Sequence, residues 1–106
     1  MAWMYVLAAG LLEIVWAYTM KLSEGSSRPL PTALTIVVML ASFALLSLSM
    51  KTLPLGTAYT VWTGIGAVGA FVVGVVVLGE PLTMGRLLAA ALIVSGLSVM
   101  KLSAAA

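Results

Sequence analysis

The sequence predicts an all-α integral membrane protein with four transmembrane helices. Hydrophobic residues make up 63% of the 106 positions and charged residues only 8%, whereas a soluble domain carries about 25% charged residues. Four apolar blocks follow one another, and each is long enough to cross about 30 Å of hydrocarbon. We therefore expect one domain over residues 1–106, with helices at about 3–21, 29–50, 55–78 and 83–102.

Short polar segments separate these blocks. Residues 21–31, 51–56 and 79–82 contain the charged, Gly and Pro residues that end helices. The second and third blocks carry no charge, and Arg86 and Lys101 lie near the two ends of the fourth. Residues 1–5 lack the basic side chain of a signal peptide, so we expect the first block to remain as a span.

The composition also excludes several functions. The chain has no Cys and no His, which removes thiol chemistry, disulfides and the usual transition-metal ligands. Its five basic residues are scattered singly, so there is no basic patch for nucleic acid. We expect no metal site, no nucleic-acid partner and no soluble module.

The positive charges give almost no preference for orientation. With four spans both termini lie on one side, together with Lys51 and Lys101, and Lys21, Arg28 and Arg86 lie on the other side. The charge count therefore does not decide whether the chain inserts into the membrane in one orientation or in two. Because four helices cannot enclose a polar site at the midplane, an oligomer is favoured.

Glu13 is the most informative residue of the chain. It is the only charged side chain in the first 20 residues, and it falls near the middle of the first span. A carboxylate at that depth is costly and is by default a functional-site hypothesis. The alternative is a protonated Glu that only bonds a neighbouring helix. Gly10 and Trp16 lie one helical turn away, offering space and an aromatic wall.

Other polar and aromatic residues form candidate neighbours of Glu13. Ser42 lies near the middle of the second span, where a serine more often bonds back to its own helix. Tyr59 and Trp62 are three residues apart on one face of the third span. They fit either an anchor at the membrane interface or a cation-binding box.

Small residues mark the third and fourth spans. Gly64, Gly66 and Gly69 have the spacing of a dinucleotide-binding loop, but no strand precedes them, so we reject a nucleotide site. We expect them to allow close helix approach and flexibility. The small residues of the fourth span could serve either a contact between protomers or packing within one protomer. The expected dimer contact comprises Ala89, Leu92, Ile93 and Gly96.

Four segments of the sequence carry a resemblance to a known family. They are Glu-Ile-Val-Trp-Ala, Lys-Thr-Leu-Pro-Leu-Gly-Thr-Ala-Tyr, Trp-Thr-Gly-Ile-Gly-Ala-Val-Gly-Ala and Gly-Glu-Pro-Leu-Thr. With these segments the chain resembles the small multidrug resistance family. Trp16 and the segment that begins at Trp62 resemble its guanidinium-exporter branch. The resemblance implies an antiparallel homodimer in the bacterial inner membrane. It implies export of guanidinium, with small substituted guanidiniums as further candidates, driven by the proton gradient without a cofactor or enzymatic activity.

The resemblance also implies roles for individual residues. Glu13 would bind proton and cation alternately, Ser42 would orient it, and Gly10 would pack beside it. Trp16, Tyr59 and Trp62 would line the pocket. The small face of the fourth helix would be the dimer contact, where Ala89 stands in place of the family's glycine.

Three alternatives remain open at the level of sequence. The first is a broader exporter of quaternary ammonium and other cations within the same family. The second is a proteolipid ring subunit, which also buries one carboxylate in the membrane but is usually a two-helix hairpin without paired Trp and Tyr. The third is a membrane assembly subunit without transport of its own, or half of a heterodimer.

Overall fold

The computed structural model describes residues 1–105, with side chains described as far as Ser103, and all regular secondary structure within these residues is α-helical. The helices are α1 (Ala2–Leu22), α2 (Pro29–Ser49), α3 (Leu55–Val76) and α4 (Met84–Ala105). Each is long and apolar enough to cross a membrane. The predicted all-α fold with four membrane-spanning helices is confirmed.

Local chemistry explains where the helices begin and end. Pro29 occupies the first turn of α2, where its missing N–H is not needed. The hydroxyl of Thr83 accepts a hydrogen bond from the N–H of Arg86 and caps the start of α4. α3 ends at Val76, about two residues before the predicted end, and Gly79 then turns the chain with a left-handed φ of 70°.

The four helices form a thin protomer rather than a closed bundle. α1 packs against both α2 and α3, whereas α4 packs mainly against α3, with Nζ of Lys101 on α4 also lying 4.6 Å from the ring centroid of Trp3 on α1. The Cα atoms extend over 45 × 34 × 16 Å. No described residue of α4 is buried, so most of its surface is free to contact lipid or another protein.

Glycines allow the helices to approach closely, as is usual where the surrounding lipid is as apolar as the side chains. A Cβ built on Gly10 would lie 2.7 Å from Ile65 of α3. A Cβ on Gly64 would lie 2.6 Å from Leu97 of α4. Gly10 therefore lets α1 approach the base of the Ile65 side chain, whereas a Cβ at Gly64 would require the side chain of Leu97 to shift.

The buried hydrophobic core lies in the half of the protomer that holds the chain termini. It combines the first half of α1, the end of α2 and the start of α3, with Val6, Ala9, Leu46, Ala58, Val61 and Trp62 as its buried hydrophobic residues. In the other half, a hydrogen bond of 2.6 Å between the hydroxyls of Thr19 and Thr35 joins α1 to α2. Buried hydrophobic residues thus join the helices in one half of the protomer, and a polar contact joins α1 to α2 in the other.

Candidate functional site

Glu13 lies on the side of α1 that faces α3. Its side chain occupies the space beside Gly66, where any Cβ would overlap the carboxylate. The next residue, Ile14, fills the equivalent space beside Gly69. The carboxylate of Glu13 therefore fits between α1 and α3 because Gly66, which faces it, has no side chain.

Two polar atoms in this region are buried without a hydrogen-bond partner among the described residues. They are the carboxylate oxygen Oε1 of Glu13 and the indole nitrogen Nε1 of Trp16, one turn further along α1. Leaving a buried polar group unpaired costs about 1–3 kcal/mol. A carboxylate oxygen accepts hydrogen bonds and an indole N–H donates one. This part of α1 is therefore ready to bind a donor at Glu13 and an acceptor at Trp16.

Ser42 joins three helices close to this site. The indole Nε1–H of Trp62 donates to the hydroxyl of Ser42 at 3.0 Å, and that hydroxyl donates to the carbonyl of Ala9 at 2.7 Å. Ala9 precedes Glu13 by four residues, so its carbonyl also accepts the backbone N–H of Glu13 within α1. Ser42 thus holds the turn of backbone that carries the carboxylate.

This arrangement differs from the expected orienting role of Ser42. The expected hydrogen bond would run from its hydroxyl to the carboxylate of Glu13, but the proton of the hydroxyl goes to the carbonyl of Ala9 in this structure. The alternative of a bond back to its own helix is not formed either. The reason is that Trp62 and Ala9 meet Ser42 from two different helices in a fully buried position.

Four aromatic rings form a continuous row beside the site. Trp16 meets Phe43 with ring centroids 6.4 Å apart, and Phe43 meets Trp62 at 5.7 Å. Trp62 then meets Tyr59 at 5.5 Å. All three pairs are edge-to-face, the geometry that aromatic quadrupoles favour. The row brings together the three aromatic residues predicted to line the pocket.

Phe43 is the member of this row that sequence reasoning missed. It follows Ser42 directly, yet a single phenylalanine in an apolar span has no feature that separates it from a lipid-facing residue. It links Trp16 on α1 to Trp62 on α3, and 43% of its surface remains exposed. The orientation of α2 about its own axis, which only the structure gives, is what places Phe43 beside Trp16 and Trp62.

The other predicted residues fall into two groups. Gly10, Gly64, Gly66 and Gly69 each receive a side chain from a neighbouring helix, and α3 runs unbroken through its three glycines. Close approach is therefore their role in this structure, and flexibility of α3 stays a prediction. Ala89, Leu92, Ile93 and Gly96 are exposed on α4, so their predicted role as a dimer contact also stays a prediction.

Taken together, the fold and the site define a small four-helix integral membrane protein with one partly buried carboxylate between α1 and α3. Comparison with known proteins identifies the family within this class of membrane proteins. A family model described as "Small Multidrug Resistance protein" matches residues 1–93. The chain belongs to the small multidrug resistance family, and it is a multi-pass protein of the inner membrane.

Similar proteins cover almost the whole chain. A protein of Salmonella typhimurium named "Guanidinium exporter" is 55% identical over 104 residues, which is 98% of this chain and 99% of that protein. Proteins with the same name from Citrobacter freundii and Yersinia pseudotuberculosis are 52% and 50% identical. These alignments cover 97% of this chain and 98% and 99% of those proteins. The relatives are named as transporters rather than enzymes.

Proposed function

We propose that this protein exports guanidinium in exchange for protons and that Glu13 binds the two in turn. The observation that carries the proposal is the Oε1 oxygen of Glu13, which is buried between α1 and α3 without a hydrogen-bond partner among the described residues. The guanidinium-exporter relatives, 50–55% identical over nearly the full length, support the choice of substrate.

Guanidinium suits the chemistry of this site. It is a planar cation with paired N–H donors, so it can form two parallel hydrogen bonds with one carboxylate. An indole or phenol face attracts a cation that lies within about 6 Å of the ring centroid. Glu13 would supply the charge, and Trp16, Trp62 and Tyr59 would supply the aromatic walls.

Exchange follows from competition for one carboxylate. A proton and a guanidinium ion cannot both neutralise Glu13, so binding of one releases the other. If the site opens to each side of the membrane in turn, the proton gradient drives the cation outwards. The exchange needs no cofactor, because the gradient supplies the free energy.

An antiparallel homodimer would complete the site. The indole N–H of Trp16 is a donor, and guanidinium, which is also only a donor, cannot satisfy it. A carboxylate in the same cavity could accept that hydrogen bond, and a second Glu13 from another copy would provide one. Two such carboxylates close together would titrate as a coupled pair. One guanidinium ion that displaces both of their protons would be exchanged for two positive charges, so the exchange would move net charge and give a current. The exposed face of α4 offers the surface for the partner.

Replacing Glu13 with Gln tests the proposal directly. The purified protein is reconstituted into liposomes, and guanidinium-driven currents are recorded on a solid-supported membrane. We expect the wild type to give a current and Glu13→Gln to give none, because the amide cannot exchange a proton. Glu24→Gln is the matched control, since Glu24 undergoes the same chemical change in the exposed loop between α1 and α2.

Proton-coupled guanidinium transport by Glu13→Gln at the rate of the wild type would refute the proposal. The same assay with tetraethylammonium addresses the broader cation exporter. A quaternary ammonium ion has no N–H donor for Glu13, so we expect no current with it. A tetraethylammonium current as large as the guanidinium current would favour the broader exporter.

A further inference from the structure

A second carboxylate lies at the end of α3, beyond the membrane midplane. The backbone N–H of Glu80 donates to the carbonyl of Gly74 at 2.9 Å, and the left-handed turn at Gly79 directs the chain back over α3. The carboxylate of Glu80 then occupies the space beside Gly74. Gly74 follows Gly66, the neighbour of Glu13, by eight residues, or about 12 Å along the helix.

Arg86 places a guanidinium group at this second carboxylate. Its Nη2 lies 3.6 Å from Oε1 of Glu80, and its Nη1 donates to the carbonyl of Pro81 at 2.6 Å. The carbon Cζ of the same group lies 5.5 Å from the ring centroid of Phe71. A carboxylate, a carbonyl and an aromatic face thus hold a guanidinium group here, the combination that suits the free cation as well.

The ion pair between Arg86 and Glu80 is loose enough to be exchanged, while the hydrogen bond from Arg86 to the carbonyl of Pro81 can remain. The side chains of Glu80 and Arg86 are 39% and 40% exposed, and exposed ion pairs at such distances contribute little to stability. The 3.6 Å contact involves only one oxygen of the carboxylate and is longer than a charge-assisted hydrogen bond. A free guanidinium ion could therefore pair with Glu80 in place of Arg86.

A cavity extends from this group toward Glu13, which does not itself line the cavity. It has a volume of about 330 Å³ and lies between α1 and α3. Its walls include Ile14, the residue that follows Glu13, as well as Tyr18 and Lys21 further along α1. Glu80 and Arg86 line the same cavity. The positive charge of Lys21 opposes occupation by a cation, which favours brief rather than tight binding.

We propose that Glu80 forms an entrance site where free guanidinium, or a small substituted guanidinium, replaces the side chain of Arg86 on its way to or from Glu13. This inference rests on the proposed function, because it assigns that substrate a second binding position. In an antiparallel dimer, each side of the membrane would present one such site. One copy would then serve loading and the other release.

The first test measures guanidinium currents over a range of concentrations. We expect Glu80→Gln to raise the KM about three- to fivefold, since the entrance loses its charge, and to leave the saturated current within about twofold. Glu80→Asp keeps the charge and should restore most of the affinity. Glu24→Gln removes a carboxylate from the other loop on the same side and should leave the KM unchanged. A wild-type KM in Glu80→Gln would overturn the entrance site.

The second test detects the entrance site without transport. In the Glu13→Gln protein the central site is disabled, and line broadening of ¹³C-labelled guanidinium in NMR should still give a weak binding signal. We expect that signal to disappear in the Glu13→Gln/Glu80→Gln double variant. Equal signals in the two proteins would overturn the inference. Failure of the wild type to transport guanidinium would instead overturn the proposed function, so the two failures are distinguishable.

Discussion

The contact between Glu13 and Gly66 makes the sharpest prediction about the site. A Cβ at position 66 would overlap the carboxylate of Glu13 and would lie only 2.8 Å from its Cγ. An ordinary van der Waals contact begins at 3.4 Å, so Cγ has to move by about 0.6 Å, the difference between 3.4 and 2.8 Å. Gly66→Ala therefore displaces the carboxylate without changing its chemistry.

The size of the effect follows from that displacement. Inserting a methyl group into a packed region costs about 1–3 kcal/mol. A displacement of about 1 Å of a group that must align with its ligand can cost about 100-fold in rate. The carboxylate lies beyond Cγ and has to move further than Cγ does. We expect Gly66→Ala to lower the guanidinium current about 10- to 100-fold.

The assay compares Gly66→Ala with Gly56→Ala in the same helix. A Cβ at Gly56 meets no atom within 4 Å, so this control adds the same methyl group to α3 without a clash. Both proteins are reconstituted at equal density, and currents are recorded over a range of guanidinium concentrations. Circular dichroism and size-exclusion chromatography establish that both variants are folded.

A folded Gly66→Ala protein that transports as fast as Gly56→Ala would refute this reasoning. Glu13 would then not depend on the space beside Gly66, and its placement between α1 and α3 would not matter for transport. A loss of current in both variants would also contradict it, because the effect would then follow from the added methyl group rather than from the clash.

Two further predictions concern helix packing. Ser42→Ala leaves the buried indole N–H of Trp62 without an acceptor, so we expect the free energy of unfolding to fall by about 1–2 kcal/mol. Thermal unfolding in detergent measures this loss of stability. The control is Ser98→Ala, on the exposed face of α4, which should unfold like the wild type. Equal stability of Ser42→Ala and Ser98→Ala would contradict the prediction. Gly96→Trp should abolish chemical cross-linking of the dimer in membranes, whereas Gly85→Trp, equally open but outside the predicted contact, should not. Undiminished cross-linking of Gly96→Trp would exclude that contact.

The sequence by itself determined the fold class and singled out Glu13 as the candidate central residue of the site. Block length and the near absence of charge decide whether a segment can span a membrane, and both are local properties of the chain. The cost of burying a carboxylate is also local, so Glu13 could be singled out before any contact was known. The same holds for the glycines of α3, whose lack of a side chain already favours close approach.

Only the tertiary structure decided which faces of the helices meet. A membrane-spanning helix is apolar all round, so its sequence has no polar stripe that marks the outer face. The contact of Glu13 with Gly66, the bond from Ser42 to Ala9 and the inclusion of Phe43 in the aromatic row each depend on helix rotation. The same rotation, with the turn at the end of α3, places Glu80 and Arg86 beside one cavity. The sequence therefore indicated which carboxylate is the candidate for the site, and the tertiary structure determined what surrounds it.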